Sequence, residues 1–283
     1  MADRRDADPD RRLLPFRNDP TGLCDDPKGP TMTALLEGVG LTRSFGQVKA
    51  LDGVDFDVRA GEVVALIGDN GAGKSTLIKA LSGNLSLDSG QIYFDGEPVT
   101  FSSPKKASSL GIETVFQDLA LAPHLDSVQN MFLGREIMRK GLVGHFGLMD
   151  SKRMRRESHT VFEDLGATVK SLSTPVGTLS GGQRQAVAIA RAVAWANRVI
   201  FLDEPTAALG VRQTRNVLET IRRVRDRGVG IVLISHSMPD VRAVADRIQV
   251  LRLGKRVETF ANSETTVEEL VGAMTGASVG SGA

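Results

Sequence analysis

Three observations predict an α/β fold built on a mostly parallel sheet. Residues 63–67, 199–202 and 229–234 are unbroken apolar runs of strand length, the pattern of strands covered on both faces. Helical periodicity fills the stretch between the last two runs, and such alternation folds into parallel strands joined by crossover helices. The first run passes straight into a glycine-rich loop and then a helical segment, so its C-terminal end lies where open α/β sheets collect ligands. Two additions complete the prediction: an N-terminal antiparallel β subdomain and an inserted helical subdomain.

The elements follow in order. Over residues 33–58 the pattern is short and strand-like, with Val54, Phe56 and Val58 alternating against Asp55 and Asp57 as at a half-buried sheet edge. The helix after the glycine-rich loop is expected over 75–81. Residues 91–94 and 97–99 flank Asp95-Gly96, a pair suited to a tight hairpin turn. Another strand, 112–116, ends at Gln117. Between 125 and 176 the period becomes helical, with Val161, Phe162 and Leu165 on one face and Lys152, Arg153, Arg155 and Arg156 around it as a solvated basic face. Helices are expected at 183–196 and 214–226, and a closing hairpin at 247–257 around Gly254. Thr266 and Glu269 have capping-box spacing before a last helix ending near Met274.

The ends read differently. Residues 1–32 mix Arg, Asp and Pro without the apolar stretch of a secretory signal, and form a tail expected to be disordered. Met32, where patterned sequence begins, is the expected true start. Residues 33–276 make the folded domain, with the helical subdomain at about 118–178 and a flexible Gly/Ser/Ala tail at 277–283. The length of 283 residues and a hydrophobic share of 41% support a full core. Lys+Arg number 35 against 34 Asp+Glu, so no global field argues for nucleic acid as partner. The one cysteine, Cys24, has no partner for a bridge and fits a reducing compartment. No apolar run approaches membrane-spanning length.

The loop Gly68-Asp69-Asn70-Gly71-Ala72-Gly73-Lys74-Ser75, followed by Thr76, has the G-x-x-x-x-G-K-S spacing in its required setting, after a buried strand and opening a helix. Its glycines let successive backbone N–H groups converge on phosphate, and the helix N-terminus adds positive potential. The fold class is therefore that of a P-loop NTPase. Lys74 is expected on the β- and γ-phosphates of ATP and Ser75 on Mg²⁺. The apolar run 199–202 delivers Asp203 and Glu204 to the same edge: Asp203 suits the metal's coordination shell, and Glu204 the general base that polarises the attacking water. Alone, this pair would more commonly be an ordinary acidic strand end before Pro205.

Leu179-Ser180-Gly181-Gly182-Gln183 sets glycines and a hydroxyl at a second helix N-terminus, again suited to an anion. Taken alone, Ser180 is more commonly just a helix cap. One nucleotide does not need two such cradles on one face, so the second is assigned to the γ-phosphate held by another protomer.

Between the phosphate loop and the Asp-Glu strand, Leu179 to Gln183 resembles the signature of the ATP-binding-cassette ATPases, over roughly residues 35–276. The resemblance implies two cassettes, expected as a homodimer, sandwiching two ATP molecules, with Lys74 of one copy facing Ser180 and Gly182 of the other. It also implies that Phe45 stacks on adenine, where a core aromatic is the alternative. Gln117 would touch Mg²⁺ and water and hinge to the helical subdomain, and His236 would reach the γ-phosphate; each is otherwise an ordinary strand-end residue. His124, His145 and His159 show no metal-ligand spacing. Gly210, in Ala207-Ala208-Leu209-Gly210, stands where most cassettes carry an Asp that contacts the opposite protomer. Local wording around residues 68–71, 204–212 and 235–241 is similar to the ATPases of monosaccharide importers, including the fructose and ribose types. That implies partners in membrane permease subunits and an extracytoplasmic sugar-binding protein, with the chain at the cytoplasmic face of the cell membrane. The alternatives are an exporter ATPase, or a soluble cassette acting on nucleic acid or ribosomes. Against the latter stand the lack of a coiled-coil or zinc insert and a single cassette.

Overall fold

The computed structural model describes residues 34–141, 146–166, 171–207 and 209–277. The expectations for the N-terminal tail, Cys24, Met32, His145, Ala208 and the last six residues lie outside them.

A six-stranded sheet runs in the order β10-β9-β3-β8-β7-β6. Its parallel members are β3 (Val63–Ile67), β6 (Ile112–Val115), β7 (Val199–Asp203), β8 (Gly230–Ile234) and β9 (Arg247–Arg252), and β10 (Lys255–Ala261) closes it antiparallel to β9. The apolar runs are continuous because this sheet is covered on both sides. Val64 and Leu66 join the larger core with Phe201, Val232 and Ile234. Ala65 and Ile67, pointing the other way by the strand's period of two, join Ile248, Val250 and Leu270. Phe201 is fully buried, and burial of a side chain of that size contributes about 2–3 kcal/mol.

The second sheet is four-stranded and antiparallel, in the order β2-β1-β4-β5: β1 (Leu36–Phe45), β2 (Val48–Val58), β4 (Ser89–Phe94) and β5 (Glu97–Val99). The pattern expected to be short is a pair of strands of 10 and 11 residues, bent by register shifts. Val54, Phe56 and Val58 are buried, and β2 is the sheet edge, as their alternation implied. The Asp95-Gly96 turn has φ of 56° and 80°, the left-handed pair that a primed hairpin turn requires.

The helices are α1 (Lys74–Leu81), α2 (Pro104–Ser109), α3 (Ser127–Phe132), α4 (Ser151–Leu165), α5 (Gly181–Trp195), α6 (Val211–Arg225), α7 (Met238–Val244) and α8 (Val267–Thr275). Residues Val161, Phe162 and Leu165 of α4 are buried, and Thr266 and Glu269 form the capping box of α8. Helices α2 and α7 were not expected, because six or seven residues are too few to show a 3.6-residue period. Both are started by local chemistry instead, a serine cap (Ser103, Ser237) and a proline in the first turn. Helices α5 and α6 begin two or three residues earlier than their apolar periodicity, since the capped first turn carries no apolar side chain toward the core.

Candidate functional site

The phosphate loop is shaped by close approach. Gly73 has φ of 105° and lies so near β2 that a Cβ there would sit 2.5 Å from the Ala50 carbonyl oxygen. Only glycine meets both conditions. The loop leaves β3, whose apolar run ends in buried Gly68, and enters α1 at Lys74.

Beyond it opens a cleft of about 280 Å³. Asn70, Gly71, Ala72, Gly73, Lys74, Ser75 and Thr76 line one side of it. The C-terminal ends of three parallel strands line another side: Gln117 after β6, Asp203 and Glu204 at the end of β7, and Ile234 and His236 at the end of β8. These are neighbours in the sheet, so the strand order itself gathers residues that the chain keeps far apart. Gly68 and Asp69 do not line the cleft; their carbonyls accept hydrogen bonds from Lys74 Nζ at 2.6 and 2.9 Å, which folds the buried ammonium back over its own loop.

Electrostatics within the cleft are set by desolvation. Burial raises the Asp203 carboxyl above its ordinary range, against the attraction of Lys74. Burial likewise raises Glu204, opposed by the neighbouring imidazole and backbone amide of His236. It lowers Lys74, opposed by Glu204, Asp69 and Asp203. His236 Nε2 lies 3.2 Å from Glu204 Oε1, close enough for charge attraction but out of line for a hydrogen bond, so that buried oxygen has no donor. Glu204 also sits at φ of 51°, a left-handed backbone unusual for a non-glycine residue. Its amide donates to the Ile234 carbonyl at 3.0 Å, which ties the ends of β7 and β8 together. Thr206 adds a second tie by donating to Asp240 of α7 at 2.7 Å.

Phe45 ends β1 and pairs in register with Val48, which does line the cleft. The ring is 50% exposed, with the Arg43 guanidinium 5.2 Å from its centroid. It is not the core aromatic that formed the alternative reading. Val48 and Ala50 line the cleft too, and nothing in the alternation of β2 marked them in the sequence.

The second cradle stands apart: Ser180, Gly181, Gly182 and Gln183 are not among the residues lining the cleft. Ser180 and Gln183 form a reciprocal capping box at the start of α5, with bonds of 3.1 and 3.3 Å, while Gly181 is exposed. Beside them, Gly210 caps α6 with no side chain, and Gln213 fills the gap; a Cβ on Gly182 would lie 2.6 Å from Gln213 Cγ. Gln213 escaped the sequence reading because only the packing of α6 brings it there. His124 and His159 take no part in the cleft, and no cluster of metal-ligating side chains built on His, Cys, Asp and Glu occurs among the described residues.

Residues 51–207 match the family model for ABC transporters. The chain is 50% identical over 245 residues to the fructose import ATP-binding protein FrcA of Rhizobium meliloti, covering 86% of this chain and 94% of that protein. It is 47% identical to the xylose/arabinose import ATP-binding protein XylG of Sulfolobus acidocaldarius, covering 88% and 97%. Against the ribose import ATP-binding protein RbsA of Yersinia pestis it is 42% identical and spans 46% of that longer protein. Among solved structures, a nucleotide-free ATP-binding cassette from an ABC transporter superposes with a TM-score of 0.72 at 26% identity, over 86% of this chain and 96% of that one. A cassette in its ADP conformation does so at 0.71 and 26%, over 86% and 95%. A family model matched over residues 51–207, and relatives at 50% and 47% identity covered over 94% and 97% of their own length, show the same thing as the fold: the chain belongs to the ABC transporter family, as one of its ATP-binding cassettes.

Proposed function

We propose that this chain is the ATP-hydrolysing, energy-coupling subunit of an importer for a monosaccharide. The observation that carries the hydrolytic reading is the convergence of Lys74, Ser75, Gln117, Asp203, Glu204 and His236 on one cleft. In this reading Lys74 leaves the loop carbonyls for the β- and γ-phosphates, and exposed Phe45 packs on the adenine. Glu204 takes a proton from the attacking water through its unpartnered Oε1, and His236, within charge contact of Glu204, holds the γ-phosphate. Ser75, Asp203 and Gln117 offer only hard oxygen donors, which fits Mg²⁺, as does a desolvated carboxyl pair that gains from added positive charge. The ion would neutralise charge developing on the phosphates.

The cassettes act in pairs. A second anion cradle at Ser180 to Gln183 that does not line its own chain's cleft supports a site completed by a partner copy. Residues 33–276 form this cassette, and about 118–178 is its helical subdomain. The fructose and xylose/arabinose import proteins among its relatives support the sugar assignment, and with it permease subunits, an external sugar-binding protein and a place at the cytoplasmic membrane face. No helix of the described residues is long and apolar enough to cross a membrane, so attachment through such partners is part of the proposal.

Disrupting the encoding gene is expected to abolish uptake of one of a panel of labelled monosaccharides including fructose, ribose and xylose. A wild-type copy restores it and a Glu204→Gln copy does not. Undiminished uptake of every sugar would overturn the import assignment.

A further inference from the structure

We propose that Arg191, in the middle of the signature helix, is a positioning residue for Gln117; the inference rests on the hydrolytic reading given above. Its guanidinium reaches across to the turn that follows Gln117 and donates from Nη1 to the Ala120 carbonyl at 2.7 Å and from Nη2 to the Leu119 carbonyl at 3.0 Å. Those two residues are consecutive and both left-handed, with φ of 59° and 44°, and neither is glycine. Such a conformation costs on the order of 1–2 kcal/mol per residue and persists only where its surroundings hold it. A planar fork spanning two adjacent carbonyls is the holding group that arginine, and not lysine, supplies.

Both ends of this link are themselves fixed. Downstream, the buried Asn130 of α3 accepts from the Ala122 amide at 2.8 Å and donates to the Ala122 carbonyl at 3.0 Å. One helical turn beyond Arg191, Trp195 packs its ring 4.8 Å beneath the Arg135 guanidinium, and Arg135 pairs with Glu113 of β6 at 2.7 Å. The guanidinium of Arg191 therefore has a rigid base. The same helix starts at Ser180 to Gln183, so the signature turn and the Gln117 turn are joined through on the order of 12 Å of continuous helix. Any displacement of α5 when its N-terminus engages an anion is passed directly to the Leu119 and Ala120 carbonyls, and so to Gln117 two residues upstream. Gln117 lines the cleft, and among the described residues no hydrogen bond anchors its side chain, so in this proposal the turn sets its place.

The test uses the full chain and the variants Arg191→Met, Arg191→Lys, Gln117→Ala and Gln117→Ala/Arg191→Met. Arg191→Met is expected to lower kcat for ATP about tenfold while leaving equilibrium ATP binding within about twofold, as misplacement of one reacting group does. Arg191→Lys, which keeps the charge and loses the fork, is expected to fall between that variant and wild type, and stands as the test if Arg191→Met fails to fold. Because Arg191 acts through Gln117, the double variant should be no slower than Gln117→Ala. A double variant slowed by the product of the two single losses, wild-type kcat in Arg191→Lys together with Arg191→Met, or equal losses in binding and turnover would overturn the proposal. Amide exchange separates this from failure of the hydrolytic reading: the Leu119 amide, bonded to the Phe116 carbonyl at 2.9 Å, should exchange faster in either Arg191 variant. Unchanged exchange at Leu119 removes the clamp, whereas a wild-type chain that binds ATP without hydrolysing it counts against the hydrolytic reading alone.

Discussion

Glu204 concentrates the chemistry of the cleft in one residue. Its backbone is left-handed, its Oε1 is buried without a donor, and burial raises its pKa, three properties that suit a base poised for a proton rather than a structural carboxylate. Replacing it with Gln is expected to lower kcat by about 10²-fold or more with ATP affinity intact, since the phosphate cradle is untouched. The pH dependence has a definite sign. A raised carboxyl pKa keeps the proton on to higher pH, so turnover should decline on acidification from above the ordinary carboxylate range, and that limb should be missing in Glu204→Gln. In the stability of the fold the same shift acts oppositely: the folded chain binds this proton more tightly than the unfolded one, so the contribution is present at low pH and lost as pH rises through the raised value. Rate and unfolding profiles over the same buffers check both directions.

At the level of elements, the insert between β6 and α5 is held by polar chemistry that no periodicity announces. Asn130 in α3 is fully buried; its Oδ1 accepts from the Ala122 amide, and the two hydrogens of its Nδ2 are shared among the Ala122, Leu125 and Asp126 carbonyls at 3.0, 3.2 and 3.0 Å. Truncation leaves several of these groups buried and unpaired. Asn130→Ala is therefore expected to destabilise the chain by about 3 kcal/mol, read from urea unfolding, and a loss below about 1 kcal/mol would show that water replaces the side chain. Longer elements were legible before the structure. The apolar runs of β3, β7 and β8, the Asp95-Gly96 turn and the Thr266–Glu269 capping box all announce themselves through local rules that tertiary packing reinforces. Helices α2 and α7 did not, being shorter than two helical turns.

For the whole molecule, the proposed pairing has each chain supply the two halves of a site that only a second copy completes. Ser180 to Gln183 stand outside the cleft that holds the catalytic candidates, so ATP should draw two copies together. In the Glu204→Gln background, Ser180→Arg is expected to leave nucleotide affinity of the monomer unchanged and to abolish the ATP-dependent dimer, because the larger cationic side chain replaces the hydroxyl at the interface. Size-exclusion with light scattering measures this; an ATP-dependent dimer that persists in the double variant would dismiss the shared site.

What the amino-acid sequence determined by itself was the set of parts. Phosphate binding by G-x-x-x-x-G-K-S depends on backbone geometry that the glycines impose locally, and two carboxylates after an apolar strand arrive at the sheet edge by the strand's own period. The tertiary structure alone decided which parts meet. Strand order β3-β8-β7-β6 brings Lys74, His236, Glu204 and Gln117 to one cleft, and helix packing sets Arg191 against Leu119 and Ala120, and Gln213 against Gly182. These are contacts between residues distant along the chain, and their formation depends on how the core closes around both sheets, a property of the whole fold that no short window of residues contains.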